Sequence, residues 1–217
     1  MARKDRKQSY LELAEVITRV FCDTAPPRSG KADAAYLFAE TKDNENSAFA
    51  AALLIWRLRR VKKIAICDLG NIAGYPGVES WRKSLVSLGI PRSAIVTVKP
   101  AREFPPSTNA EALGLVRFAK KNNKWKTIYV IAPPLHQLRA FISAVSFAQK
   151  ENRKLRIYNF PGIPQRWEER IIHSQGIQKG TRSELIGEEL KKIGRYRKEG
   201  SLLSAEDILE YLNKRDK

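Results

Sequence analysis

The stretch Thr127-Ile128-Tyr129-Val130-Ile131-Ala132-Pro133-Pro134-Leu135-His136-Gln137-Leu138-Arg139-Ala140 decides the fold class. Its first part, through Ala132, is a continuous β-branched and aromatic run, which is typical of a strand covered on both faces of a parallel sheet. Two prolines then end the strand, and proline is well tolerated in the first turn of a helix. The stretch therefore predicts a buried strand over 127–132 that passes directly into a helix over 134–152.

The same alternation of strand and helix recurs along the chain. Four other short apolar runs predict strands, over 33–38, 63–67, 94–98 and 155–159. Further helical patterns lie between the strands, over 47–59, 78–88 and 108–122. Repeated strand–helix units predict an α/β fold, namely a Rossmann-like three-layer sandwich with a mainly parallel sheet.

The pattern changes at both ends of this core. Residues 1–23 predict an N-terminal amphipathic helix, because charges interrupt their apolar positions at helical spacing. After residue 165 two helical patterns follow, over 181–197 and 204–213, with no clear strand between them. We therefore expect a Rossmann-like core over 24–165 and a C-terminal helical extension over 166–217 that packs on the core.

Length and composition are those of an ordinary globular protein. The 217 residues are 43% apolar, which is enough to bury a core without disulfides or metals. Two cysteines, Cys22 and Cys67, make no disulfide framework and are typical of a reducing compartment. No apolar run reaches the roughly 18 residues of a spanning helix. We expect a cytoplasmic protein without a transmembrane segment, and the oligomeric state stays open.

The strong positive charge suggests a second class of partner. The net charge is +17, and three basic clusters, at 57–63, 117–126 and 150–156, each follow a helix and precede a strand. In a parallel sheet they would share the edge where strands begin, forming a face that binds nucleic acid or an anionic membrane surface. Against this alternative, no recognition motif is present, no aromatics are interleaved with the cations, and cations at helix ends also complement the macrodipole.

Polar residues gather where the predicted strands pass into helices, which is where open α/β sheets bind ligands. Thr108 and Glu111 match either a capping box or a hydroxyl and carboxylate that face a ligand. His136 and Arg139 share one helix flank. A guanidinium there suits a phosphate or carboxylate, and the helix end with Arg139 favours a neutral imidazole at pH 7.

Other polar residues follow strands at the same predicted edge. Glu79 begins a helix after a loop rich in glycine and proline, and Asp68 and Asn71 precede it. Carboxylates at Glu40, Asp43, Glu45 and Asp68 are spaced too loosely to predict a magnesium site, so we predict no metal. Phosphate-loop and dinucleotide glycine motifs are absent, as is the Gly-x-Ser-x-Gly elbow of serine hydrolases.

The order of these motifs resembles the YdcF/SanA/ElyC family over roughly residues 33–148. Thr108-x-x-Glu111-Ala112 is similar to the family's Thr-x-x-Glu motif, and His136-x-x-Arg139-Ala140 to its His-x-x-Arg-Ala motif. Gly77-Val78-Glu79 is similar to its acid-bearing helix, whereas Cys67-Asp68-Leu69-Gly70 stands where the family has Ser-Gly-Gly. The resemblance implies a Rossmann-like fold and a nucleotide-like ligand, with S-adenosylmethionine as one candidate cofactor.

These observations predict a site for an anionic, nucleotide-like small molecule at the carboxyl ends of the strands. Arg139 would hold the anion, with Thr108, Glu79, Asp68 and Asn71 as further ligand-binding residues. His136 and Glu111 are the candidate acid and base of a hydrolase or transferase reaction. The residues leave open whether the site is catalytic at all, and they do not identify a cofactor.

Overall fold

The computed structural model describes residues 3–23, 26–121, 125–173 and 178–217 and has an α/β fold. Its central sheet is five-stranded and all-parallel, in the order β3-β2-β1-β4-β5. The strands are β1 (Ala34–Leu37), β2 (Ile64–Cys67), β3 (Ile95–Val98), β4 (Thr127–Ile131) and β5 (Arg156–Asn159). The predicted Rossmann-like class and the five predicted strands are thus confirmed.

Seven α-helices are present in the described residues. They are α1 (Arg3–Cys22), α2 (Lys42–Arg57), α3 (Val78–Ser87), α4 (Thr108–Lys121), α5 (Pro134–Glu151), α6 (Arg182–Lys198) and α7 (Ala205–Asp216). Helix α2 begins five residues before the predicted start because its first turn is polar and carries no apolar periodicity. Asn122, predicted to end α4, lies outside the described residues. No described helix has the length and apolar character needed to cross a membrane.

The region 166–217, which was expected to be a helical extension, also contains two strands. An antiparallel hairpin lies there, formed by β6 (Arg170–His173) and β7 (Gln178–Thr181). In β6, Ile171 and His173 are buried while their neighbours are exposed. Four residues of mixed polarity give too short an alternation to identify a strand from the sequence.

The sheet is covered on both faces, which explains why its strands are apolar along their whole length. On one face Tyr36 and Val130 pack with apolar residues of α4 and α5, and α1 and α7 extend this layer. On the other face Leu37 and Ile66 pack with residues of α2 and α3. The carboxyl ends of β1 and β4 are neighbours, and the helices that follow them leave on opposite faces. This switch in direction opens the crevice in which such sheets bind ligands.

Candidate functional site

A polar pocket of about 270 Å³ opens at the carboxyl ends of β1 and β4. It is lined by residues that follow β1, β2 and β4, by the first turn of α4, by the β6–β7 hairpin and by α6. The core and the C-terminal region therefore build the pocket together. Four of the predicted site residues line it: Thr108, Glu111, His136 and Arg139.

On the pocket wall, a hydroxyl, an imidazole and a carboxylate are linked by two consecutive hydrogen bonds. Thr108 Oγ1 and His136 Nε2 are 2.9 Å apart and hydrogen-bonded. The other ring nitrogen, Nδ1, is hydrogen-bonded to Glu40 Oε1. All three side chains are buried. This is the arrangement in which a histidine, oriented by a carboxylate, can take a proton from a hydroxyl.

Burial and neighbouring charges set the protonation of this chain of groups. Burial, with the nearby Arg139 guanidinium, holds the pKa of His136 well below its usual range. The imidazole is therefore neutral at pH 7, in agreement with the sequence prediction. Burial, with the charge of Glu111, raises the pKa of Glu40 well above its usual range.

The Arg139 guanidinium is held by a carboxylate of the protein itself, which corrects the expectation that it is reserved for a ligand anion. Its Nε donates to Glu189 Oε2 at 2.6 Å and its Nη2 to Oε1 at 3.2 Å, both partners being buried. Its Nη1 donates to Thr108 Oγ1. Arg139 therefore orients the Thr108 hydroxyl, and its own charge is compensated by Glu189.

Glu189 also joins the hairpin and α6 to the site. Its Oε1 accepts hydrogen bonds from Lys192 Nζ at 2.8 Å and pairs with His173 Nε2 at 3.1 Å. Burial by itself would raise the pKa of Glu189, but the charges of Arg139 and the hydrogen bond to His173 hold it well below its usual range. Glu189 is thus a permanently ionised centre of the buried network.

The capping-box interpretation of Thr108 and Glu111 was wrong. Ser107 occupies the N-cap position of α4, where its Oγ accepts from the backbone of Ala110 at 3.3 Å. Glu111 instead accepts from Tyr36 Oη at 3.0 Å and from the Ala39 amide at 2.9 Å. Burial raises the pKa of Glu111 to about 7, so this carboxyl can hold or release a proton at neutral pH.

Three other predicted residues lie outside the pocket wall. Glu79 was expected to converge on the site, but it is exposed and pairs with Arg82 on α3. Asp68 is half-buried and Asn71 is exposed; both belong to the loop after β2, and only their neighbours line the pocket. Within the described residues, no group of three or more histidine, cysteine or carboxylate side chains is arranged to hold a metal.

Several pocket residues were not predicted from the sequence. Glu40 follows β1 directly, a position that was noted only for its weak resemblance to a magnesium site. His173 belongs to β6, which was not predicted, and its Nδ1 is buried without a hydrogen-bond partner in the described part of the chain. A polar stripe along α6 could have indicated these pocket residues from the sequence. It consists of Glu189, Lys192 and Arg195, which are spaced three residues apart and lie beside the apolar stripe of the helix.

A second, apolar groove of about 730 Å³ adjoins the polar pocket. Its wall includes Leu54, Trp167 and Leu190, and it is also lined by Arg139 and Glu189. The buried ion pair of Arg139 and Glu189 therefore lies between the groove and the pocket.

Comparison with known proteins does not assign a family or a function to this chain. No family model matches the chain, and no curated protein matches it significantly.

Proposed function

We propose that this protein binds an anionic, nucleotide-like small molecule in the polar pocket and acts on it by hydrolysis or group transfer. His136 is the general base, and Thr108 carries the hydroxyl that His136 activates. The observation that carries the proposal is the buried hydrogen-bonded sequence Thr108–His136–Glu40 on the wall of a pocket at the sheet's switch point.

Positive charge at the pocket supports an anionic ligand. Lys192 and Arg195 line the pocket from α6; Lys192 is paired with Glu189, whereas the Arg195 side chain is 60% exposed and lies 3.8 Å from Glu199. The N-termini of α4 and α5 also lie at the pocket, and a helix N-terminus attracts anions. His173 also lines the pocket, and its buried Nδ1 has no hydrogen-bond partner among the described residues. Because Arg139 and Lys192 are both bonded to Glu189, the exposed Arg195 is the α6 cation to which we assign the anion-binding role.

The neutral imidazole supports base catalysis by His136. With Glu40 ionised, its carboxylate accepts a hydrogen bond from Nδ1–H of His136, which leaves the Nε2 lone pair to accept the proton of Thr108. Because burial raises the pKa of Glu40, we expect activity to increase with pH as Glu40 loses its proton. Arg139 donates to the same hydroxyl oxygen and stabilises the negative charge that develops there. Glu111, one helical turn from Thr108 and with a pKa of about 7, can return a proton to a leaving group.

The resemblance to the YdcF/SanA/ElyC family supports the nucleotide-like ligand. The two motifs that carry the resemblance, 108–112 and 136–140, contribute Thr108, Glu111 and His136 to one pocket wall. S-adenosylmethionine is therefore included among the candidate ligands.

A thermal-shift screen tests the proposal. The wild-type chain is heated with AMP, ATP, S-adenosylmethionine or glucose 1-phosphate. A ligand present at 100 times its Kd stabilises the folded state by about 2.7 kcal/mol. For a chain of this size, such stabilisation raises Tm by roughly 5–11 °C. Turnover of any ligand found is then followed by chromatography.

Matched variants separate a role in the pocket from a general effect. His136→Gln and Thr108→Val should lower turnover by about 10²- to 10⁴-fold, the usual contribution of a positioned base. Glu79→Gln removes a carboxylate outside the pocket and should leave both shift and turnover unchanged. A screen with no shift for any of the four compounds, or turnover that survives His136→Gln, contradicts the proposal.

A further inference from the structure

We propose that the opposite edge of the sheet binds single-stranded nucleic acid. The site is a cleft of about 480 Å³ whose wall combines Trp56 with Lys31, Arg57, Arg59 and Lys62. It lies where strands begin and is therefore separate from the polar pocket, which lies where they end.

The cations of the cleft are largely available to a ligand. Lys31, Arg57 and Arg59 are exposed, and none of them belongs to an ion pair found within the described residues. Lys62 is paired with Asp33, at 3.1 Å, and its side chain is 68% exposed. The cleft therefore holds a marked excess of positive charge.

Further exposed cations continue the cleft along the edge of the sheet. Arg92 precedes β3, Lys126 precedes β4 and Arg156 begins β5. Five strands at a spacing of about 4.8 Å give this edge a length of about 19 Å. Lys31, Lys62 and Lys126 do not lie in the last turn of a helix, so compensation of a helix dipole does not account for them. A strip of this length can contact several phosphates of one strand.

Trp56 distinguishes a nucleic-acid strand from other polyanions. Its ring is half-buried against the core beneath β1 and β2, so it forms a fixed wall among the cations. Aromatic residues do not alternate with lysines in the sequence. In the folded chain, however, Lys31 and Lys62 line the same cleft as Trp56. Unpaired bases stack on such aromatics, whereas bases within a duplex are already stacked. A ring recessed in a cleft is accessible to an inserted base and not to the flat surface of a bilayer.

Fluorescence anisotropy with labelled 15-nucleotide dT and U strands tests the proposal between 50 and 200 mM KCl. The variant Lys31→Gln/Arg57→Gln/Arg59→Gln should bind at least about tenfold more weakly. Its dependence of log K on log[salt] should be shallower by about 2, because each phosphate contact contributes about 0.7. The control Arg102→Gln/Arg197→Gln/Lys198→Gln removes the same charge elsewhere and should bind as wild type does.

A substitution of Trp56 tests the stacking contact separately. Trp56→Leu should weaken binding by about 5- to 150-fold, the usual effect of losing one base–aromatic stack. Circular dichroism at the assay temperature confirms that each variant is folded. If Trp56→Leu does not fold, the stacking contact is tested instead by quenching of tryptophan fluorescence with unlabelled dT. The quenching of wild type is then compared with that of Trp56→Phe, and the difference is the contribution of Trp56. Salt-dependent binding of either strand supports the proposal.

Three results would overturn it: equal affinity of the triple variant and its control, affinity that does not change with salt, or tighter binding to duplex DNA or phosphatidylserine vesicles than to either single strand. Because the cleft and the pocket share no residue, these results do not depend on the thermal-shift screen.

Discussion

At the scale of single residues, the buried ion pair of Arg139 and Glu189 organises the pocket. Arg139 orients Thr108, while Glu189 gathers Arg139, His173 and Lys192 around one carboxylate. A buried charge that loses its partner is strongly destabilising, whereas replacing both partners by apolar residues can be neutral. The pair can therefore be tested as a unit.

We predict that Arg139→Met lowers the free energy of unfolding by about 3 kcal/mol, the lower end of the usual range because Lys192 remains beside Glu189. The double variant Arg139→Met/Glu189→Leu should recover at least half of the loss. Urea unfolding measures both. The double variant is also compared with Arg139→Met and Glu189→Leu measured singly. If the loss of unfolding free energy in the double variant equals the sum of the two single losses, the groups act independently.

The raised pKa of Glu111 predicts a pH dependence of stability. With a pKa of about 7 in the folded state and an ordinary value of 4.5, the folded chain keeps a proton that the unfolded chain releases. The contribution of Glu111 is thus fully present below pH 4.5 and is lost as the pH rises through 7. One pKa unit corresponds to 1.36 kcal/mol, so the change is about 3 kcal/mol.

The variant Glu111→Gln isolates this contribution because its amide keeps an acceptor for Tyr36 and Ala39 but does not titrate. Between pH 4.5 and 7.5 the unfolding free energy of Glu111→Gln should rise by about 3 kcal/mol relative to wild type. Urea unfolding at four pH values measures the difference. Parallel curves for the two proteins would mean that Glu111 titrates normally in the folded state.

Prediction from the sequence succeeded for site residues whose location in the fold follows from their position relative to a strand or a helix. Thr108 and His136 lie in the first turns of the helices that follow β3 and β4, so the topology alone brings them to one edge. Their partners are set by tertiary packing: Glu40 lies 96 residues from His136, and Glu189 lies 50 residues from Arg139. Glu79 shows the converse, since a local partner one turn away, Arg82, holds its carboxylate.

At the scale of elements, the start of α4 sets the geometry of the site. Thr181 with Glu184 and Ser204 with Asp207 have the sequence spacing of capping boxes, and both boxes are present. At α4 the same sequence spacing does not form a box, because buried partners bind Thr108 and Glu111 and Ser107 caps the helix. Local signals therefore predicted exposed helix ends correctly and failed at the buried one.

The close approach of α4 to the loop after β3 holds that helix in place. A Cβ added at Gly114 would lie 2.3 Å from the carbonyl oxygen of Lys99 and 2.9 Å from Pro100 Cα, both backbone atoms. We predict that Gly114→Ala lowers the free energy of unfolding by about 1–3 kcal/mol through overpacking.

Gly187→Ala in α6 is the matched control for this prediction, because an added Cβ would meet nothing within 4 Å. Alanine is the better helix former by up to about 1 kcal/mol, so this variant should be more stable than wild type. Thermal unfolding of both variants measures the contrast. A Gly114→Ala protein as stable as Gly187→Ala would mean that α4 can move away from the loop.

At the scale of the whole molecule, the two edges of the sheet have different chemistry. The carboxyl edge holds a pocket with a buried network of ion pairs, and the opposite edge holds exposed cations around Trp56. Alternation of strands and helices predicted the class of fold and the edge at which each group lies. It did not predict the hairpin, which carries His173 to the pocket, because a four-residue strand has almost no periodicity to detect.

The crystal structure of the chain soaked with the compound that gives the largest thermal shift tests the central claim most directly. We predict that the ligand occupies the polar pocket, with an atom within about 2.6–3.2 Å of Thr108 Oγ1 or His136 Nε2. Its anionic group should face Lys192 or Arg195. A ligand bound elsewhere while the pocket stays empty would contradict the account.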